Sequence, residues 1–338
     1  MRSTVIDPLL ILRALPLKHF EKLYKNMSEF HQDDHFYLAR KSQTLQARAN
    51  LIQNIRLFFT RYGFLEVETP LRIPSPAPEE NIEALPSGNW FLQTSPEICM
   101  KQLLAAGYNR IFQISKCFRA AERGDKHLPE FTMLEWYVAQ YDYHQLMDQC
   151  QEMIKAVAGD MGIVRELIWQ SKKINLALPW ERISVANAFL KYAPVTLEEA
   201  LAQNEFDEIL VDYIEPQLGI NRPVFLFDYP AELASLAKLK ENNPAISERF
   251  ELYIAGLEIA NGFSELIDAR EQKQRFEEAL RTRAAKNLAR YTMPEKFLLS
   301  LDALPPCAGI ALGIDRLVMI FAGKEKIDDV VAFTPETL

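Results

Sequence analysis

The sequence predicts an α+β fold in which helices flank a central antiparallel sheet, and three observations carry that expectation. Predicted strands and helices do not alternate strictly along the chain, which argues against a doubly wound parallel sheet. Residues 118–137 place a charged, glycine-containing loop between two apolar strands, the pattern of a hairpin. A second strand pair is expected at Arg249–Ile254 and Glu258–Ser264.

Residues 1–43 mix an apolar opening, a basic amphipathic stretch and the run His31-Gln32-Asp33-Asp34-His35, which reads as a short N-terminal extension packed on the main domain. His31 and His35 around two aspartates could hold a metal, but a solvated polar turn is the simpler account. Residues 44–338 read as one domain. From Thr44 to Tyr62 apolar residues recur at helical spacing, with Gly63 as a stop. Residues 64–70 alternate like a strand and end at Pro70. The proline-rich run 74–81 is an irregular loop. Strands are expected at 90–93, 111–114, 131–137 and 223–229, and helices at 141–160, 196–215 and 269–291.

Composition bounds the function. The chain has 338 residues, 49% hydrophobic and 25% charged, enough for a sizeable core. A net charge of −8 supplies no global attraction for a polyanion. The four cysteines form no Cys-x-x-Cys pair and read as reduced thiols. Neither a secretory h-region nor an apolar run of about 20 residues is evident, so a cytoplasmic location is expected.

Three segments carry candidate chemistry. In the first, Glu135 and Tyr137 alternate onto one face of the return strand, where a carboxylate and a phenol suit a ligand ammonium. Arg119, on the outgoing strand, suits a phosphate; solvated or structural ion pairs are the alternative. In the second, Glu251, Glu258, Asn261 and Glu265 put oxygen-bearing side chains on strands that otherwise look buried. Such groups are costly unless paired or metal-bound, and hard oxygen ligands suit Mg²⁺ on a nucleoside triphosphate. In the third, residues 309–319, a small-residue strand admits a flat ligand and Arg316 opens a helix facing a phosphate. This run fits neither the P-loop nor the dinucleotide-binding glycine pattern.

These segments resemble motif 2, the acidic amino-acid/ATP strands and motif 3 of class II lysyl-tRNA synthetases, and residues 44–70 resemble their motif 1. The phrases Thr94-Ser95-Pro96-Glu97, Pro129-Glu130-Phe131-Thr132-Met133-Leu134-Glu135 and Asn261-Gly262-Phe263-Ser264-Glu265-Leu266 are specific to the lysyl branch. Only some 43 residues precede motif 1, too few for the five-stranded anticodon-binding barrel of those synthetases. The chain therefore looks like the short paralogues that attach lysine, preferably (R)-β-lysine, to translation elongation factor P. Residues 305–313 and 268–272 resemble that subgroup closely.

The resemblance implies a role for each candidate. Arg119 holds the α-phosphate and Arg316 the γ-phosphate of ATP; Glu122, His127, Ile259 and Gly313 border the nucleotide. Glu251 and Glu258 bind Mg²⁺. Ser95 borders the substrate and Glu97 takes its backbone amine; Glu135, Tyr137 and Glu265 take its ε-ammonium, and Asn261 orients its carboxylate. Ala311 stands where lysyl-tRNA synthetases have Gly, and one methyl in a tight pocket is worth ~1–3 kcal/mol of selection. A homodimer, no tRNA and elongation factor P as acceptor are implied as well.

Two departures bear on ATP. Ala121 occupies the slot of the motif 2 Glu that meets adenine, and Leu128 replaces an Asn. In an unbroken strand Glu122 would face away from the site, so adenine recognition is expected to lean on backbone groups unless the loop bends.

Overall fold

The structure is a computed structural model that describes residues 37–338. The predicted turn at His31–His35 and most of the N-terminal extension lie outside the described residues. The chain divides into two units, Met1–Gln43 and Thr44–Leu338, and the sheet and its cleft belong to the second.

Helix α1 (Ser42–Arg61) buries Leu51, Ile55, Phe58 and Phe59, the apolar face its spacing marks. Gly63, at φ +73°, ends it in the left-handed conformation that glycine adopts without strain. The strand expected at 64–70 shrinks to β1 (Leu65–Glu66). The remaining scaffold is α2 (Glu97–Ala105), β2 (Arg110–Phe118), β3 (Glu130–Ala139) and α3 (Tyr143–Asp160), then β4 (Glu181–Ser184) and β5 (Val224–Pro230). It closes with β6 (Asn243–Ile254), β7 (Leu257–Ser264), α4 (Ala269–Ala285), β8 (Cys307–Gly313) and α5 (Ile314–Phe321).

The large sheet runs β1-β2-β3-β8-β7-β6-β5-β4, with the short strand Leu239–Lys240 also paired to β6. Its centre, β2 to β5, is antiparallel as predicted, but both ends are parallel: β1 on β2 and β4 on β5. The sheet is therefore mixed: β2–β3 and β6–β7 are local pairs that the sequence predicts, and long-range pairings that local periodicity does not encode join them. Period-two alternation then divides its faces. Leu134, Trp136 and Val138 of β3 enter the main core, which includes residues of α1, α3 and α5. Met133, Glu135 and Tyr137 point the other way, into a cleft.

Two predicted helices are shorter than their patterns. The stretch 196–215 breaks into Leu197–Ala202, Phe206–Ile209 and a π turn at Leu210–Ile214, with Asn204 at φ +55° as the break. Helix α4 stops at Ala285 rather than Tyr291, because Asn287 turns left-handed at φ +55°. That stop frees Tyr291 to accept a hydrogen bond from the Ala84 amide at 2.7 Å and so fix the proline-rich loop. All four cysteines are free thiols.

Candidate active site

Register assembles the site. Glu251 on β6 pairs with Asn261 on β7, Asn261 with Ala311 on β8, and Ala311 with Glu135 on β3. One row across four central strands thus brings together residues far apart in sequence. Two residues along, Gly309 pairs with Tyr137. A Cβ at Gly309 would overlap the Tyr137 ring and come within 2.5 Å of Glu265 Oε1, so this position admits only glycine. Above the row opens a cleft of about 380 Å³. Thirteen of the fifteen predicted site residues line it: Ser95, Glu97, Arg119, Glu122, His127, Glu135, Tyr137, Glu258, Ile259, Asn261, Ala311, Gly313 and Arg316. Glu251 and Glu265 lie behind its wall.

One end is acidic. Glu135 accepts hydrogen bonds from Ser95 Oγ at 2.7 Å and from Tyr137 OH at 2.9 Å. Burial, reinforced by the charge of Glu97, pushes its carboxyl up to about 8. Glu265 is pushed to about 8 by burial, with Lys101 pulling the other way. Lys101 has no exposed surface and bridges Glu97, at 2.5 Å, and Glu265. Burial alone would discharge this ammonium, but Glu265 and Glu97 outweigh it and hold the lysine protonated. Lys101 has no sequence assignment, although its i,i+4 spacing from Glu97 on α2 is a readable signal. Because of this lysine Glu265 does not face the cleft directly.

The raised Glu135 has a thermodynamic consequence. A carboxyl near 8 in the folded chain keeps a proton that the unfolded chain, at the ordinary 4.5, has lost; its contribution to stability therefore declines as pH rises between those values. An ammonium ligand favours the ionised form. Binding of a diamino acid at pH 7 is expected to release protons, and its affinity to rise as pH approaches 8. Calorimetric titration in buffers of different ionisation enthalpy measures this; identical apparent enthalpies in all buffers would refute it.

The other end is cationic. Arg119 stacks its guanidinium 5.2 Å from the Phe131 ring, and its buried Nε has no hydrogen-bond partner. Its Nη1 lies 3.6 Å from Glu122. Glu122 faces the cleft because Ala121, at φ +62°, bends the chain out of strand alternation. The bend returns a carboxylate to the cleft side of the loop, one residue after the slot that Ala121 occupies. Arg316 donates from Nη1 to the Glu258 carbonyl at 2.9 Å and to its carboxylate at 3.1 Å, and lies 2.5 Å from His127 Nε2. Burial and the neighbouring Arg316 charge lower the His127 pKa, so the ring meets the guanidinium as a neutral acceptor. Asp315, also without a sequence assignment, accepts from Arg48 at 2.5 Å and from the Thr132 amide at 2.7 Å, pinning the start of α5 to the hairpin. Leu128, the second departure, is buried in the main core.

The family of "tRNA synthetases class II (D, K and N)" matches residues 33–337. The chain is 38% identical over 308 residues to the elongation factor P--(R)-beta-lysine ligase of Proteus mirabilis, covering 86% of this chain and 94% of the relative. The ligase of the same name from Pectobacterium carotovorum is 41% identical over 312 residues, covering 86% and 95%. That from Salmonella paratyphi B is 40% identical over 310 residues, covering 86% and 94%. The chain belongs to the class II tRNA synthetase family, in the branch of these ligases.

Membership makes a nucleotide-borne Mg²⁺ a fair test of the donor set. Such an ion keeps phosphate and water ligands and needs only one or two carboxylates. Glu258 fits, being partly exposed with one oxygen engaged by Arg316. Glu251 is committed elsewhere: Tyr229 donates at 2.6 Å, Tyr253 at 2.7 Å and Arg249 at 2.7 Å. Burial raises its pKa against the pull of Arg249. Among the described residues no group of three or more His, Cys, Asp or Glu is placed to cage a metal unaided. Glu215, pushed to about 7 mainly by burial, is a further carboxylate near Glu258 that the sequence does not single out.

Proposed function

We propose that the protein activates (R)-β-lysine, and α-lysine less well, with ATP and Mg²⁺, and transfers it to the ε-amine of a lysine on elongation factor P. The observation that carries this reading is the zoning of one cleft: carboxylates at one end, guanidinium donors at the other, and a small-residue strand between them. The ligase names of relatives near 40% identity support the acceptor.

In the first step a substrate carboxylate oxygen bonds to the α-phosphorus and the bond to pyrophosphate breaks. Arg119 lies where it can meet charge on the α-phosphate, and Arg316, held by Glu258 and His127, meets the terminal phosphate. Mg²⁺ on the nucleotide, which Glu258 would help to hold, would supply further neutralisation of phosphate charge. Glu97, Glu135 and Tyr137 fix the diamino acid so that attack is effectively intramolecular. Asn261, whose buried Oδ1 has no partner, offers its amide group beside Ala311 on the floor. In the second step the acceptor amine attacks the acyl carbon, AMP leaves, and the amine loses one proton, which the departing phosphate can take.

The reading extends to a homodimer in the cytoplasm that does not use tRNA. Leu57, Leu65 and Leu71, each at least 40% exposed around α1 and β1, give the motif 1 region an apolar surface for a second copy. The test is incubation with ATP, β-lysine and elongation factor P, then weighing the factor. A gain equal to one lysyl residue is expected, accompanied by β-lysine-dependent pyrophosphate exchange. Charging of tRNA with no gain on the factor, or no exchange at all, would overturn the proposal.

A further inference from the structure

The proline-rich loop at 74–81 is irregular, yet it delivers a carboxylate into the cleft. Glu79 lines the same cavity as Ser95, Glu97 and Ala311. Among the described residues its side chain makes no hydrogen bond and no ion pair, while the Glu97 charge lies close enough to oppose its own. Burial first, then Glu97, pushes its carboxyl up to about 7, with Arg119, Arg249 and Lys101 pulling it down less strongly.

The loop is not placed there loosely. Arg283, 1% exposed on α4, donates to the carbonyls of Glu79 and Ile82, each at 2.8 Å, and to the Glu83 carboxylate at 2.6 Å. Its guanidinium stacks 3.9 Å from the Tyr291 ring, whose hydroxyl fixes Ala84. The Glu83 carbonyl accepts from the Ala120 amide at 2.7 Å, tying the loop to the motif 2 hairpin. A buried arginine and a tyrosine thus hold an unpaired carboxylate in the same cleft as Glu97, whose charge opposes it, an arrangement that costs folding energy unless a cation completes it.

The charges at this end of the cleft do not balance. Glu79, Glu97, Glu135 and Glu265 gather here, while Lys101 is already shared between Glu97 and Glu265 and the nearby Arg249 is paired with Glu251. A substrate with two ammonium groups supplies what is missing. Glu135 with Tyr137 suits the distal one, which leaves Glu79 beside Glu97 for the ammonium nearest the substrate carboxylate.

We infer that Glu79 is a specificity-determining residue, forming with Glu97 the receptor for the amino group that distinguishes a diamino acid from a simple ω-amino acid. This rests on the proposed diamino-acid substrate, and the test separates the two. Wild-type and Glu79→Gln proteins are titrated with β-lysine, with α-lysine and with 6-aminohexanoate, which keeps the distal ammonium and carboxylate but lacks the second amine. The isosteric change should weaken both lysines by about tenfold to a hundredfold. It should leave 6-aminohexanoate and ATP affinities within about twofold. Equal weakening of all three amines, or no weakening of the lysines, would overturn the assignment. Failure of the wild-type protein to bind either lysine would instead sink the substrate on which it rests.

Discussion

Replacing Arg119 by alanine is expected to lower kcat/KM for adenylate formation by about 10²–10³, or about 2.7–4 kcal/mol of transition-state stabilisation. The size follows from how the side chain is held. Its guanidinium is stacked on Phe131, 5.2 Å from the ring centre, and its buried Nε is without a partner in the free protein. That donor has been desolvated in advance, so charge developing on the α-phosphate gains a hydrogen bond with little reorganisation. The opposing carboxylate, Glu122, stands 3.6 Å away, so no short bond to it is lost when phosphate arrives. Lysine at the same position keeps the charge but not the planar fork, so Arg119→Lys should recover only part of the loss. Lysine-dependent pyrophosphate exchange reads the rate, and chemical denaturation reads stability, which should change by less than about 1 kcal/mol for this partly buried side chain. A rate within threefold of wild type would remove Arg119 from the reaction.

Much of this site is legible in the sequence, because much of it rests on local rules. The hairpin around Gly124 is set by alternation, and the same alternation puts Glu135 and Tyr137 together. Helix α1 is readable from its apolar spacing. What cannot be read is what pairs across the sheet: the row joining Glu251, Asn261, Ala311 and Glu135 depends on register between distant strands, and no periodicity encodes it. Edge strands as short as Leu65–Glu66 and Glu181–Ser184 have too few residues to show alternation. Glu79 sits in a run of prolines with no period at all, so its place in the cleft is visible only in the folded chain, where Arg283 holds the loop. Glu265 shows the opposite failure. Its place at the end of β7 is legible, but the sequence leaves its carboxylate looking free for substrate when a lysine of the same protein already holds it. The loop at Ala121 adds a backbone lesson, since a non-glycine residue at φ +62° reverses which side chain faces the cleft.

Lys101 should be the residue whose loss costs the fold most. Its Nζ bridges Glu97 and Glu265 with no exposed surface, and it lies 5.3 Å from the Phe263 ring centre. Removing one partner of a buried pair typically costs about 3–5 kcal/mol, because the remaining charge has no water to turn to. Glu265 has one escape: already pushed to about 8, it can take up a proton. Wild-type Glu265 ionises near 8 with Lys101 beside it, whereas without the lysine it is held protonated to higher pH, so the deficit of Lys101→Met against wild type should widen from about pH 7 upward through pH 9. The sign follows from proton binding. Above about pH 8 the folded variant would hold a proton that both its unfolded chain and the folded wild type have released, so its folding is penalised more as pH rises. The double variant Lys101→Met/Glu265→Gln removes the stranded charge and should recover more than half of the loss at pH 8. Urea denaturation at several pH values measures all of this. A single-variant deficit below about 1 kcal/mol at pH 8, or a double variant no more stable than the single, would show that the pair is not what holds this end of the cleft together. The function should not recover with the fold. Glu97 would still lack the ammonium that orients it, so the stable double variant should bind the diamino acid weakly while its ATP affinity remains that of the wild type.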